Sequence, residues 1–135
     1  MKRNVIAVLI FTIFSLLSGK VMAQNASGPE LTLYYFHGHN RCPSCLAIEK
    51  EAKTVVTVEL KEYFTQKRIA FESLNIELKR NEAIAKKYDI WGSSLILVDA
   101  AGKKTDFTDE GFSYARTKPA EFRKLLNAKI KSLLK

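Results

Sequence analysis

Two cysteines, the only two in 135 residues, lie three positions apart between a nearly unbroken apolar run and a long polar–apolar alternation. The stretch reads Tyr34-Tyr35-Phe36-His37-Gly38-His39-Asn40-Arg41-Cys42-Pro43-Ser44-Cys45. Leu31 to Phe36 has the pattern of a strand buried on both faces, as in the centre of an α/β sheet. His37 to Arg41 is a polar loop hinged at Gly38. Pro43 suits the first turn of a helix, where its missing N–H costs nothing. The cysteines therefore stand where a strand turns into a helix, and the rest of the chain must be a scaffold for that turn.

The first 23 residues read differently. Lys2 and Arg3 precede an apolar stretch from Val5 to Leu17, Ser18-Gly19 break it, and Val21-Met22-Ala23 offers a cleavage site before Gln24. This is the pattern of a secretory signal peptide. The apolar run falls short of the ~20 residues that span a bilayer. The expected organisation is a signal peptide over 1–23, a flexible polar lead-in over 24–30 and one domain over 31–135. Losing Lys2, Arg3 and Lys20 lowers the formal charge from +8 to +5. Export, with a bacterial periplasm as destination, puts the thiols where disulfides persist.

Hydrophobic residues make up 47% and charged residues 27%, which excludes a disordered chain and fits a single globular unit. The basic residues occur as scattered pairs with no recognition motif, so no nucleic-acid partner is expected. A monomer is expected.

Periodicity predicts the remaining elements. A helix runs from about Pro43 to Gln66, with a break possible in the β-branched stretch Thr54 to Val58. A second strand covers Ile69 to Leu74, and a short helix about Asn81 to Tyr88 packs Ala83, Ile84 and Ala85 inward. After a loop around Gly92, Leu95 to Val98 and about Lys104 to Thr108 form a hairpin. Asp109 to Lys118 reads as a loop. A closing helix from about Pro119 to Leu134 buries Phe122, Leu125, Leu126, Ile130, Leu133 and Leu134. Strand–helix–strand units imply parallel pairing, with the hairpin as an antiparallel edge. The predicted class is α/β: a four-stranded mixed sheet with helices on both sides.

A Cys-x-x-Cys that opens a helix has a chemical logic. The helix N-terminus favours negative charge, and the thiolate is the form that attacks disulfides. Cys42 is the candidate nucleophile, with Arg41 as a candidate source of positive charge. Cys45, one turn further in, is the candidate resolving thiol. Other readings stand beside this one: a weak structural disulfide, half a soft-metal site on Cys42 and Cys45 completed by His37 or His39, or an inactive pair in a docking subunit. For each histidine, simple exposure is the plainer reading.

These residues resemble the thioredoxin-like superfamily, from about Leu31 to Leu134. Beyond the cysteines, the resemblance rests on Leu74-Asn75-Ile76, on Ala85-Lys86-Lys87-Tyr88-Asp89-Ile90-Trp91-Gly92, and on Leu95-Ile96-Leu97-Val98 followed by Gly102-Lys103. Gly111 and the Phe122-Leu125-Leu126 segment fall where that family has a glycine and a closing helix. Tyr35-Phe36-His37-Gly38 ahead of Arg41-Cys42-Pro43-Ser44-Cys45 is similar, more narrowly, to exported bacterial thioredoxin-like proteins regarded as accessory subunits of nitroreductase or arsenic gene clusters. The resemblance implies a thioredoxin-like three-layer α/β/α sandwich and a thiol–disulfide oxidoreductase. It implies a redox-active Cys42–Cys45 disulfide with no further cofactor. It implies a protein thiol or disulfide as partner, a membrane or periplasmic electron donor, and a substrate groove at Trp91, Ser93 and Ser94. Three departures stand out. The family's cis-proline position reads as Ser94, and a cis bond without proline costs about 3 kcal/mol, so a trans bond is expected. Arg41 replaces a tryptophan. The buried acid of the first strand falls at or near Phe36, which leaves His37 or His39 as candidate proton acceptors.

Overall fold

The structure is a computed structural model and describes residues 28–134. The expected signal peptide and the start of the lead-in, residues 24–27, lie outside the described residues. From Leu31 onward the chain alternates its side chains between two apolar layers. Strand β1 (Leu31–His37) sends Leu31, Leu33 and Tyr35 to one face, and Phe36 with the half-buried Tyr34 to the other. That is why the run shows no polar alternation: both faces are covered.

Strand β2 (Ile69–Asn75) pairs parallel with β1, Leu31 opposite Ile69 and His37 opposite Asn75. Strand β3 (Ser94–Asp99) pairs antiparallel with the other edge of β1, Phe36 opposite Ser94. Strand β4 (Lys104–Asp106) closes the order β2-β1-β3-β4. The four-stranded mixed sheet is as expected, with one difference. The second strand–helix–strand unit does not give a parallel pair. Its helix, α3 (Glu82–Lys87), has six residues and rises only about 9 Å. A seven-residue strand is about 23 Å long. The connection therefore does not carry the chain back to the far end of the sheet, and β3 starts at the end where β1 and β2 finish. This brings the residues before β3 to the cysteine end of the molecule.

Helix α1 (Pro43–Thr54) buries Cys45, Ile48 and Ala52 against the first face. The expected break is present: Val55–Glu59 is a π-helical turn, with Val55 and Val56 fully buried, and α2 (Lys61–Thr65) follows. Phe64, on α2, is exposed. On the opposite face α3 buries Ala85 and half-buries Ile84. Ala83 is exposed, contrary to expectation, because it falls on the solvent side of this short helix.

The segment expected as a loop after β4 is largely helical. Asp106 Oδ1 accepts from the Thr108 N–H at 2.9 Å, Thr108 Oγ1 accepts from the Leu95 N–H at 3.0 Å, and α4 (Thr108–Tyr114) begins there. β4 is correspondingly shorter than the sequence pattern suggested. Helix α5 (Pro119–Leu133) packs Phe122, Leu126 and Ile130 into the same layer as α1. Leu125 is instead exposed, and Leu133 and Leu134 are half-buried. The layers are thus α1, α4 and α5 on one side of the sheet and α3 on the other. No helix among the described residues is long and apolar enough to cross a membrane.

Candidate functional site

Cys42 caps α1. Its backbone is extended (φ −73°, ψ 160°), Pro43 occupies the first turn, and Cys42 Sγ accepts from the Cys45 N–H at 3.1 Å. The two cysteines form a disulfide with Cα atoms 5.0 Å apart. Their environments differ. Cys42 is exposed, whereas Cys45 is buried, with 6% of its surface accessible. One sulfur faces solvent at the positive end of the helix and the other lies beneath it.

The loop before β3 meets the pair from the side. Ser93 Oγ is 3.7 Å from Cys45 Sγ. Ser94, expected in the substrate groove, starts β3, and its hydroxyl donates to the Gly92 carbonyl at 3.2 Å. No peptide bond among the described residues is cis. Trp91 is 81% exposed and is fixed by its indole N–H, which donates to Asp89 Oδ1 at 2.8 Å. An apolar side chain this exposed, on a loop that touches the disulfide, is available to a macromolecular partner.

Around Tyr35 lies a polar cluster that sequence reasoning did not assemble. Arg41 turns inward, its guanidinium carbon 5.6 Å from the centre of the Tyr35 ring, and pairs with Glu49 on α1. Burial opposes the Arg41 charge, but Glu49 outweighs it and the pKa rises further above its ordinary value. Burial alone would raise Glu49. Hydrogen bonds with Ser73 and Arg41, together with the Arg41 charge, outweigh that and hold its carboxyl below the usual carboxylate range. Arg41 is therefore an ion-paired residue under the motif, its charge largely offset by Glu49.

Tyr35 stands between Arg41 and Ser93. It is fully buried, and burial raises its phenol above the ordinary value against the opposing pull of Arg41 and Ser93. Those two are its polar neighbours, yet its hydroxyl completes no hydrogen bond of good geometry, and neither does Arg41 Nε. Phe36, expected at or near the position of a buried acid, faces the opposite layer with Ile96 and Val98. Its neighbour Tyr35 faces the layer that holds Cys45.

The two histidines part company. His37 stacks on Tyr35 at 5.8 Å and its Nδ1 lies 2.9 Å from the Gly38 carbonyl oxygen. His39 turns to the connection after β2, where its Nδ1 is 2.7 Å from Glu77 Oε2 and 3.0 Å from Asn75 Nδ2, and its N–H donates to Glu77 Oε1 at 3.1 Å. A Cβ on Gly38 would stand 2.8 Å from Glu77 Oε1, so a larger residue there requires the end of the Glu77 side chain to move. Among the described residues no three histidine, cysteine or acidic side chains converge in a metal-binding group. Glu49 and Ser73 carried no signal in the sequence, since single polar residues at helix and strand positions look like ordinary surface, and Ser93 was expected only as part of the groove.

No family model matches the chain and no curated protein matches it. A solved structure described as that of a malarial protein is similar, with 16% identity, 70% of this chain and 94% of the other covered, and a TM-score of 0.42. That degree of likeness carries no argument about fold or function.

Proposed function

We propose that the chain is an exported thiol–disulfide oxidoreductase of thioredoxin-like type, acting on protein disulfides. The observation that carries the reading is the asymmetric pair. An exposed Cys42 caps a helix, and a buried Cys45 is bonded to it one turn inside. After reduction, the Cys42 thiolate lies where the N-terminal N–H groups of α1 and the helix dipole favour negative charge. It attacks one sulfur of a partner disulfide, forms a mixed disulfide and expels the partner's other sulfur as a thiolate. Cys45 then attacks Cys42 Sγ, regenerates the observed disulfide and releases the first sulfur. The partner gains two electrons and the protein loses two. An electron donor in the exported compartment or its membrane closes the cycle. Trp91 and the Ser93-Ser94 edge support a groove for the partner chain, and the leader over 1–23 supports export.

The test is trapping in the cell. Cys45→Ser should hold a partner on Cys42 as a mixed disulfide that reductant releases, and Cys42→Ser should hold none. If neither variant traps a partner and the reduced protein binds copper stoichiometrically, the reading gives way to soft-metal transfer. If it does neither, the chain is an accessory subunit. N-terminal sequencing of the exported protein should begin at Gln24.

A further inference from the structure

Resting on the disulfide-exchange reading, we infer that Tyr35 is the positioning residue for the resolving step, acting through Ser93 on the Cys45 thiolate. A fully buried phenol without a completed hydrogen bond is an unfavourable arrangement in the oxidised protein. The arrangement has a use once Cys45 is released from the disulfide. Ser93 Oγ is already 3.7 Å from Cys45 Sγ, and the Tyr35 phenol has Ser93 and Arg41 as its polar neighbours. When Cys45 ionises, the Ser93 hydroxyl donates to its sulfur and the Tyr35 hydroxyl donates to Ser93 Oγ. The donor chain favours the thiolate, as hydrogen bonding to a charged form does. Tyr35 itself stays protonated, since its pKa is raised by burial.

The step balances. Cys45 loses its proton, its sulfur attacks Cys42 Sγ, the Cys42–partner bond breaks, and the proton ends on the departing thiolate or in water. The titratable groups around the chain are Tyr35 itself, Arg41 from the loop, Glu49 from α1, and His37 stacked on the Tyr35 ring. Arg41, Glu49 and His37 are retained in every variant compared below.

The experiment uses the reduced protein and dithiobis-nitrobenzoate, whose aryl thiolate is coloured. Attack by Cys42 releases a first equivalent. Attack by Cys45 on the resulting mixed disulfide releases a second, followed by stopped flow across pH. Tyr35→Phe should leave the first phase unchanged. It should slow the second about tenfold at neutral pH and raise its pH midpoint by about one unit. Ser93→Ala should do the same, and the double variant should be no slower than Ser93→Ala alone. Equal second phases and equal midpoints in Tyr35→Phe and the parent overturn the inference, as does slowing of both phases together, which marks a structural role. If the parent releases neither equivalent, the exchange reading itself fails and takes this inference with it. An intact first phase in the parent separates the two failures.

Discussion

At the scale of single residues, the site is set by which charges are offset under the disulfide. Glu49 makes this measurable. Its carboxyl is held below the usual range in the folded protein, against burial, by Ser73 and Arg41. A depressed carboxylate stabilises the fold fully above its unfolded pKa of about 4.3, and the contribution is lost as pH falls through the folded value. The parent should therefore lose stability more steeply below about pH 4 than Glu49→Gln, while the variant is the weaker of the two at neutral pH, where Arg41 has lost its partner. Urea unfolding at a series of pH values checks both halves, and parallel curves for the two proteins would reject the account. Tyr35→Phe gives a second expectation. Removing a buried hydroxyl that completes no good hydrogen bond should change the unfolding free energy by less than about 1 kcal/mol. A large loss on thermal unfolding would show that the hydroxyl is structurally paired after all. The cysteines and the exposed Trp91 were legible in the sequence because their residue types are rare and chemically distinct. Glu49 was not, and Ser93 was expected only in the groove: the contacts of Glu49 with Arg41 and Ser73, and of Ser93 with Cys45, arise from the loops and strand that fold together there.

At the scale of elements, periodicity carried β1, β2, β3, α1 and α5 into view because each has an apolar face that recurs along the chain. It failed at α4. That helix meets the core through Gly111 and the half-buried Tyr114, while its Phe112 is exposed. A hydrophobic pattern registers such a helix weakly, because its one fully buried position is a glycine. A Cβ on Gly111 would lie 3.3 Å from Ile48 Cδ1 and Cγ1, tighter than ordinary contact, and Ile48 is itself buried to 1%. Gly111→Ala gains about 1 kcal/mol of helix propensity and loses about 1–3 kcal/mol by overpacking. The expected net is a destabilisation of about 1 kcal/mol, read from urea unfolding. Ile48→Val removes one of the crowded methyl groups, so the double variant should lose less stability than the sum of the two single variants. Additive losses would mean that α4 shifts away instead of pressing on α1. Strand direction was the other failure at this scale. Residue pattern does not encode it, whereas the length of the connection does, and the six residues of α3 are too few to return the chain.

At the scale of the molecule, the disulfide sits at one end of a sheet whose two faces are covered by separate apolar clusters. One is built on Leu33, Ile48, Leu97 and Phe122 and the other on Phe36, Ala85 and Ile96. Only Cys45 joins a cluster, and it does so as a small apolar side chain beside Ile48. The bond closes a ring of four residues, so in the chain-entropy picture it restricts the unfolded chain by about 2 kcal/mol. Reduction should therefore lower the urea midpoint without unfolding the protein or broadening the transition. Cys42→Ser with Cys45→Ser should behave like the reduced parent, with its far-UV spectrum unchanged. An unfolded reduced form would make the pair a structural staple and remove the basis for exchange, because a resolving thiol must remain beneath the nucleophile after the bond opens. A folded reduced form keeps Cys45 on the buried face of α1, next to Ser93, with Cys42 still at the helix cap. The stability difference between the two states then also measures how strongly the folded scaffold favours the closed pair over the same pair in an unfolded chain.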